Sequence, residues 1–135
     1  MINKYNTIKT QFSLSSFEFE TDGVQRNIPG IPSTRGNVVW AYNKNKWKTS
    51  FISNFIGEYF AENDNIVIVK QYINHNFQVY KKFHLNSFPF EIGFSVFNLS
   101  NALYYDNIRI NAFGDRFYEP GPGRNFLFSL KVFIE

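Results

Sequence analysis

Residues able to do chemistry are sparse in this sequence. Its two histidines, His75 and His84, sit at a spacing that fits no recognised zinc pattern, and no cysteine occurs. That absence removes thiolate ligands, disulfides and a thiol nucleophile. The carboxylate pairs Glu18/Glu20 and Glu62/Asp64 could in principle exchange protons, but they flank turn-rich segments where solvated carboxylates are the rule. Neither a Ser/His/Asp order nor a glycine-rich phosphate loop is present. No catalytic residue, metal site or cofactor is expected, and an enzyme is the least supported class. The densest candidate group lies near the C-terminus, where Arg116, Tyr118, Glu119 and Arg124 surround Pro120-Gly121-Pro122-Gly123. The prolines cannot donate to a ladder, and Gly123 lets the chain bend into a following strand. The arginines can fork onto a carboxylate. The expected use of Arg116, Glu119 and Arg124 is to staple a loop to a sheet rim, with direct ligand contact by these four residues as the rival.

These residues must be positioned by strands, because period-2 alternation dominates and helical periodicity is hard to find. About six strand-like segments are separated by Gly, Pro, Asn and Asp clusters. The first runs from about Thr7 to Glu20, with a bulge near Ser15-Ser16 to reconcile Ile8, Phe12 and Leu14 with Phe17 and Phe19. A loop covers Thr21-Asp22-Gly23 and Ile28-Pro29-Gly30-Ile31-Pro32. The second strand spans about Asn37 to Tyr42, and Asn43 to Lys46 form a short turn. The third runs from Trp47 to about Phe60, and Glu62 to Asn65 form a loop. The fourth spans about Ile66 to Lys81, followed by a turn at Asn86 to Pro89. In the fifth, Phe90, Ile92, Phe94 and Val96 alternate with Glu91, Gly93 and Ser95. A long loop from about Asn101 to Gly123 leads to the last strand, where Phe126, Phe128, Leu130, Val132 and Ile134 share one face.

Composition points the same way. The chain is 44% hydrophobic and 20% aromatic, and 17 of its 135 residues are Phe, a level typical of strands facing lipid. Its charge of +3 is spread without a basic block, so nucleic acid is not an expected partner. Lys44, Lys46 and Lys48, and the pair Lys81-Lys82, are expected at solvated strand ends. No apolar run approaches the length of a membrane helix, and Met1 to Asn6 and the residues that follow lack the apolar core of a signal peptide. Short and long connections alternate, as in outer-membrane barrels. The face opposite the Phe/Ile/Val side is small and polar, which suits a watery lumen better than a packed core. The apolar side is therefore expected to face lipid.

The last third carries a resemblance. Val96-Phe97-Asn98-Leu99-Ser100-Asn101-Ala102-Leu103-Tyr104 resembles the end of the penultimate strand in TonB-dependent outer-membrane receptors. Gly114 to Phe126 is similar to that family's stretch before its final strand, with the spacing through Arg116, Tyr118, Pro120, Pro122, Gly123 and Arg124 complete. Ile28 to Pro32, Phe55-Ile56-Gly57-Glu58-Tyr59 and Asp64-Asn65 follow in the family's order, so the likeness covers nearly all of residues 1–135. It implies that the chain is a single segment, the last six strands of a barrel of about 22 around a plug domain that is absent here. It also implies energy-coupled uptake of a scarce nutrient, of the ferric siderophore type, in the outer membrane of a Gram-negative bacterium. The implied partners are the remaining barrel and plug, the TonB complex acting through that plug, outer-membrane lipid and the barrel assembly machinery. Gly123, Phe126, Phe128, Leu130, Val132 and Ile134 would be the insertion signal, although the usual terminal aromatic is replaced by Glu135. The loops near Gly30, Asp64 and Gly114 would be extracellular. Six strands leave two open edges, so the chain by itself is not expected to transport. The rival readings are a small soluble β-barrel binding an apolar or sugar ligand, and a truncated gene remnant.

Overall fold

A computed structural model describes residues 3–85, 88–115 and 118–134. Twelve strands follow in chain order among them: β1 (Asn6–Leu14), β2 (Glu18–Thr21), β3 (Val24–Asn27), β4 (Thr34–Lys44), β5 (Trp47–Ile56), β6 (Tyr59–Phe60), β7 (Ile68–Val69), β8 (Tyr72–Leu85), β9 (Phe88–Phe97), β10 (Tyr105–Ile108), β11 (Tyr118–Pro120) and β12 (Asn125–Val132). The long ones form one antiparallel sheet in the order β1-β4-β5-β8-β9-β12, while β2-β3, β6-β7 and β10-β11 are separate ribbons. Strand accounts for 63% of the described residues and no α-helix occurs among them, so the all-β expectation stands. The sheet is a meander and does not close: β1 and β12 are its outer edges.

Three of the expected strands are each divided. Residues 7–20 do not form one bulged strand. Ser15 instead donates to the Ser33 carbonyl, and β2 turns away to pair with β3 across Asp22-Gly23, both at positive φ. The third expected strand stops at Gly57, whose N–H donates to the Thr34 carbonyl at 2.8 Å. A Cβ at Gly57 would come within 3.0 Å of that oxygen, so the close approach that ends the strand needs glycine. The fourth begins at Tyr72, because Ile68 and Val69 pair with Phe60 and Tyr59 instead. Pro89 lies within β9, opposite His84, and not in a turn. The long loop expected from Asn101 to Gly123 contains the β10-β11 ribbon.

The two ends of the sheet differ. At one end Asn45 and Lys46, both at positive φ, close a two-residue hairpin between Lys44 and Trp47. At the other end the long connections are stitched to one another. Gly30 donates to the Phe60 carbonyl and Asn111 to the Ala61 carbonyl. The Asn65 side chain bonds the Asn27 backbone in both directions. The small buried cluster of Ala61 and Val69, with Tyr59, Val67, Ile108 and Ala112 around it, sits in this cap of loops and not against the sheet.

Candidate functional site

Directly opposed residues in an antiparallel sheet lie on the same side, so the register sorts the side chains into two faces. One face carries the row Ile8–Trp40–Phe51–Phe77–Val96–Phe126, apolar across all six strands. Beside it runs Asn6–Tyr42–Thr49–Val79–Phe94–Phe128. The opposite face carries Thr7–Ala41–Ser50–Gln78–Ser95–Leu127 and Gln11–Asn37–Asn54–Asn74. There the side chains bond across strands: Asn37 Nδ2 donates to Asn54 Oδ1 at 2.6 Å, and Ser50 Oγ to Gln78 Oε1 at 3.4 Å. The Tyr80 ring lies over the buried Gly93, its hydroxyl 3.4 Å from Ser95 Oγ.

Among the described residues no segment covers the apolar face. Phe12, Phe128 and Leu130 are 69%, 77% and 68% exposed. Among the described residues the only buried hydrophobics are Ala61, Val69 and Val96. The total accessible surface is 9878 Å², against about 7,400 Å² for a compact monomer of this mass. The excess of roughly 2,500 Å² is that of an open sheet with both faces and both edges uncovered, and the exposed large hydrophobics Ile8, Phe12, Phe126, Phe128, Leu130 and Val132 lie on one of those faces.

On the polar face, near the loop cap, a cleft of about 500 Å³ is lined by Gln11, Ser13, Arg35, Asn37, Asn54, Tyr72, Asn74, Tyr104 and Asp106, together with Phe12, Gly36 and Ile56. β1, β4, β5, β8 and the segment after β9 each contribute. Tyr72 and Tyr104 stack with centroids 5.0 Å apart. Asn74 Oδ1 is buried without a hydrogen-bond partner among the described residues. Burial raises the pKa of the Tyr104 phenol, and the neighbouring Asp106 charge pushes it the same way. Burial also raises that of Tyr59, in the loop cap, against the opposing pull of Arg35. The phenols therefore stay neutral donors. One guanidinium, two phenols and several amides can hold a polar ligand by hydrogen bonds. No cluster of metal-ligating side chains is found among the described residues.

The candidates read from sequence are placed elsewhere. Arg116 lies outside the described residues. Tyr118 packs on Tyr105, with ring centroids 4.3 Å apart. Glu119 accepts hydrogen bonds from Asn107 Nδ2 at 3.0 Å and Arg109 Nε at 2.6 Å, which lower the pKa of its carboxyl and fasten the β10-β11 ribbon. Arg124 donates its N–H to Asn101 Oδ1 at 2.9 Å and Nη1 to the Leu99 carbonyl at 3.4 Å. Tyr118, Glu119 and Arg124 do not line the cleft. Phe126, Phe128, Leu130 and Val132 share the apolar face of the edge strand β12; Ile134 follows it, exposed, and Gly123 precedes it beside Asn101 Oδ1. His75 stacks on Phe51 on the apolar face, and His84 Nδ1 lies 3.2 Å from Lys46 Nζ.

The two sequence motifs of the last third clasp each other. Asn98, 1% exposed and at positive φ, donates Nδ2 to the carbonyls of Ala102 and Pro122 and accepts the Ala102 N–H at Oδ1. Its own N–H donates to Asn76 Oδ1. Gly121 donates to the Tyr104 carbonyl, and the Tyr104 ring occupies the space a Cβ at Gly121 would need. Arg35, Asn74 and Asp106, which line the cleft, and Arg109, which pairs with Glu119, were not singled out by sequence reading. Arg35, Asn74 and Asp106 come from separate segments, and only the fold brings them to one cleft. No protein-family model matches the chain, and no curated protein matches it.

Proposed function

We propose that this chain is part of the wall of an outer-membrane β-barrel, the C-terminal six strands of a receptor of the TonB-dependent type. The observation that carries the reading is the division of one meandering sheet into an uncovered apolar face and a hydrogen-bonded polar face. Lipid would cover the first, and a watery lumen would meet the second. A soluble barrel would bury the apolar side instead. The clasp between the Asn98–Tyr104 and Pro120–Arg124 segments supports the family likeness, because the residues that carry it act on one another.

In this reading further strands pair with the edges of β1 and β12 to complete a barrel of about 22 around a plug. The tight turns face the periplasm and the loop cap faces outward. The cleft below the cap, with Arg35, Tyr72, Tyr104 and Asp106, is the upper part of the lumen wall, past which a ferric siderophore or similar nutrient would move once the TonB complex pulls on the plug. The chain supplies wall, loops and the β12 insertion signal read by the assembly machinery; it does not transport alone.

The test uses the absence of native cysteine. In the cells that make the protein, Phe128→Cys and Ser129→Cys variants are fractionated and treated with a membrane-impermeant maleimide. The expected result is recovery in the outer-membrane fraction, with labelling at position 129 and protection at 128. Recovery in the soluble fraction, or equal labelling at both positions, would overturn the reading.

A further inference from the structure

The apolar face of the six strands carries two ionised side chains among the described residues, and both lie in one row. That row is Lys44–Trp47–Lys81–Ile92–Leu130, one step from the two-residue turn at Asn45-Lys46. Lys81 Nζ stands 4.5 Å from the Trp47 ring centroid and 4.9 Å from that of Phe83, and Lys44 Nζ stands 4.6 Å from that of Tyr5. No carboxylate shares this face among the described residues of the six strands. The one ion pair found among the described residues, Arg109 with Glu119, lies at the opposite end, in the loops. The same rim carries Lys82 and Lys131, but these are on the polar face, where Glu91 lies between them in register. Lys44 and Lys81 are laid on aromatic rings with no carboxylate beside them on this face among the described residues, which leaves their ammonium groups open to an anion from outside the chain.

We propose that Lys44 and Lys81, with Trp47 between them, form a binding site for the phosphate of an anionic phospholipid headgroup at the tight-turn rim. This rests on the membrane reading above and goes beyond it by naming the lipid chemistry. A lysine at the middle of a lipid-facing strand is costly and one near the interface is not, so the row belongs at the interface, where phosphates lie. The aromatic rings hold the ammonium groups at that level. The rim's positive charge then selects which leaflet and which lipid this end of the wall meets.

The test uses the assembled protein, extracted from the membrane with the strands that complete it and reconstituted in phosphatidylcholine vesicles with added phosphatidylglycerol. A fluorophore is attached at Ile92→Cys, directly across from Lys81, or at Ile73→Cys, on the same face at the loop end. Quenching by brominated phosphatidylglycerol is compared with quenching by brominated phosphatidylcholine at equal mole fraction. The ratio at position 92 is expected to be about fivefold, as for one surface lysine, to fall with salt, and to be near one at position 73. Lys44→Gln with Lys81→Gln should abolish the preference, whereas Lys82→Gln with Lys131→Gln, an equal loss of charge on the other face, should leave most of it. Equal ratios at positions 92 and 73, or equal loss in both double variants, would overturn the site while leaving the membrane reading intact. Failure to find the protein in a membrane at all would overturn both. The comparison of positions 92 and 73 needs no lysine variant, so a double variant that fails to assemble does not obscure the answer.

Discussion

Replacing Phe128 by arginine tests the assignment of the two faces directly. On β8 the apolar face runs from Ile73 to the row of Lys81, four two-residue steps or about 26 Å along the strand. At the tilt of about 45° usual for spanning strands this projects to about 19 Å, and the lysine side chains reach beyond it. Phe128 lies opposite Phe94, which lies opposite Val79, one row inside that of Lys81 and so between the middle and the edge of the band. Arginine there should cost about 1–3 kcal/mol, and the lost contact with the Phe94 ring, 4.8 Å away, should add about 1 kcal/mol. The folded-to-unfolded ratio would fall by about one and a half to three powers of ten at 1.4 kcal/mol for each. Ser129→Arg, one residue further on the same edge strand but on the polar face, should cost no more than about 0.5 kcal/mol. Urea unfolding of the assembled protein in short-chain phosphatidylcholine vesicles reads both variants. Equal losses at 128 and 129 would refute the argument, because the two faces would then meet the same surroundings.

Asn98→Ala removes three side-chain hydrogen bonds and leaves part-buried backbone groups of Ala102 and Pro122 without these partners. A loss of about 2–4 kcal/mol is expected, with faster hydrogen exchange from residue 98 to 124. Gly93→Val drives a side chain into the space of the Tyr80 ring. It should destabilise by about 1–3 kcal/mol, and much of that should return when Tyr80→Ala is added, as a double-mutant cycle would report. Glu119 has a lowered pKa, so its pairing stabilises the β10-β11 ribbon above the ordinary glutamate range and is lost as pH falls through the depressed value. A carboxyl NMR titration should show the depression, and Arg109→Gln should diminish it. Tyr59 and Tyr104 have raised pKa values, so the unfolded chain ionises first as pH climbs past about 10. Stability should therefore fall on alkalinisation, and phenolate absorbance from these two rings should appear later than from free tyrosine.

The sequence carried the faces of the sheet but not its interruptions. Alternation at Phe90, Ile92, Phe94 and Val96, and again from Phe126 to Val132, identified the apolar side, since a strand's period of two is read directly from residue type. The break at Gly57 was hidden because Tyr59 and Phe60, then Ile66 to Val69, continue an apolar pattern that serves the loop cap instead of the sheet. The divergence of β2 depends on Ser15 and Phe17 meeting Ser33 and Ile28 from across a loop, which no local spacing reveals. The cleft was illegible for the same reason: Arg35, Asn54 and Asn74 meet through strand register, and Asp106 reaches them from the separate β10-β11 ribbon. Glu119 stood out because it lies within a motif, yet its partner Arg109 lies outside any recognisable pattern.

The meander order has a consequence for how such a wall is made and varied. Every long strand pairs with its nearest long neighbours in the chain, so the sheet is a one-dimensional series of interfaces. It can form hairpin by hairpin without waiting for distant segments, which keeps loop-closure entropy low. Because β1 and β12 run in opposite directions, a further hairpin can be added or removed at either edge without reversing any strand or shifting any register. A meander of this kind can change its width in units of two strands during descent, while each remaining hairpin keeps its own pairing.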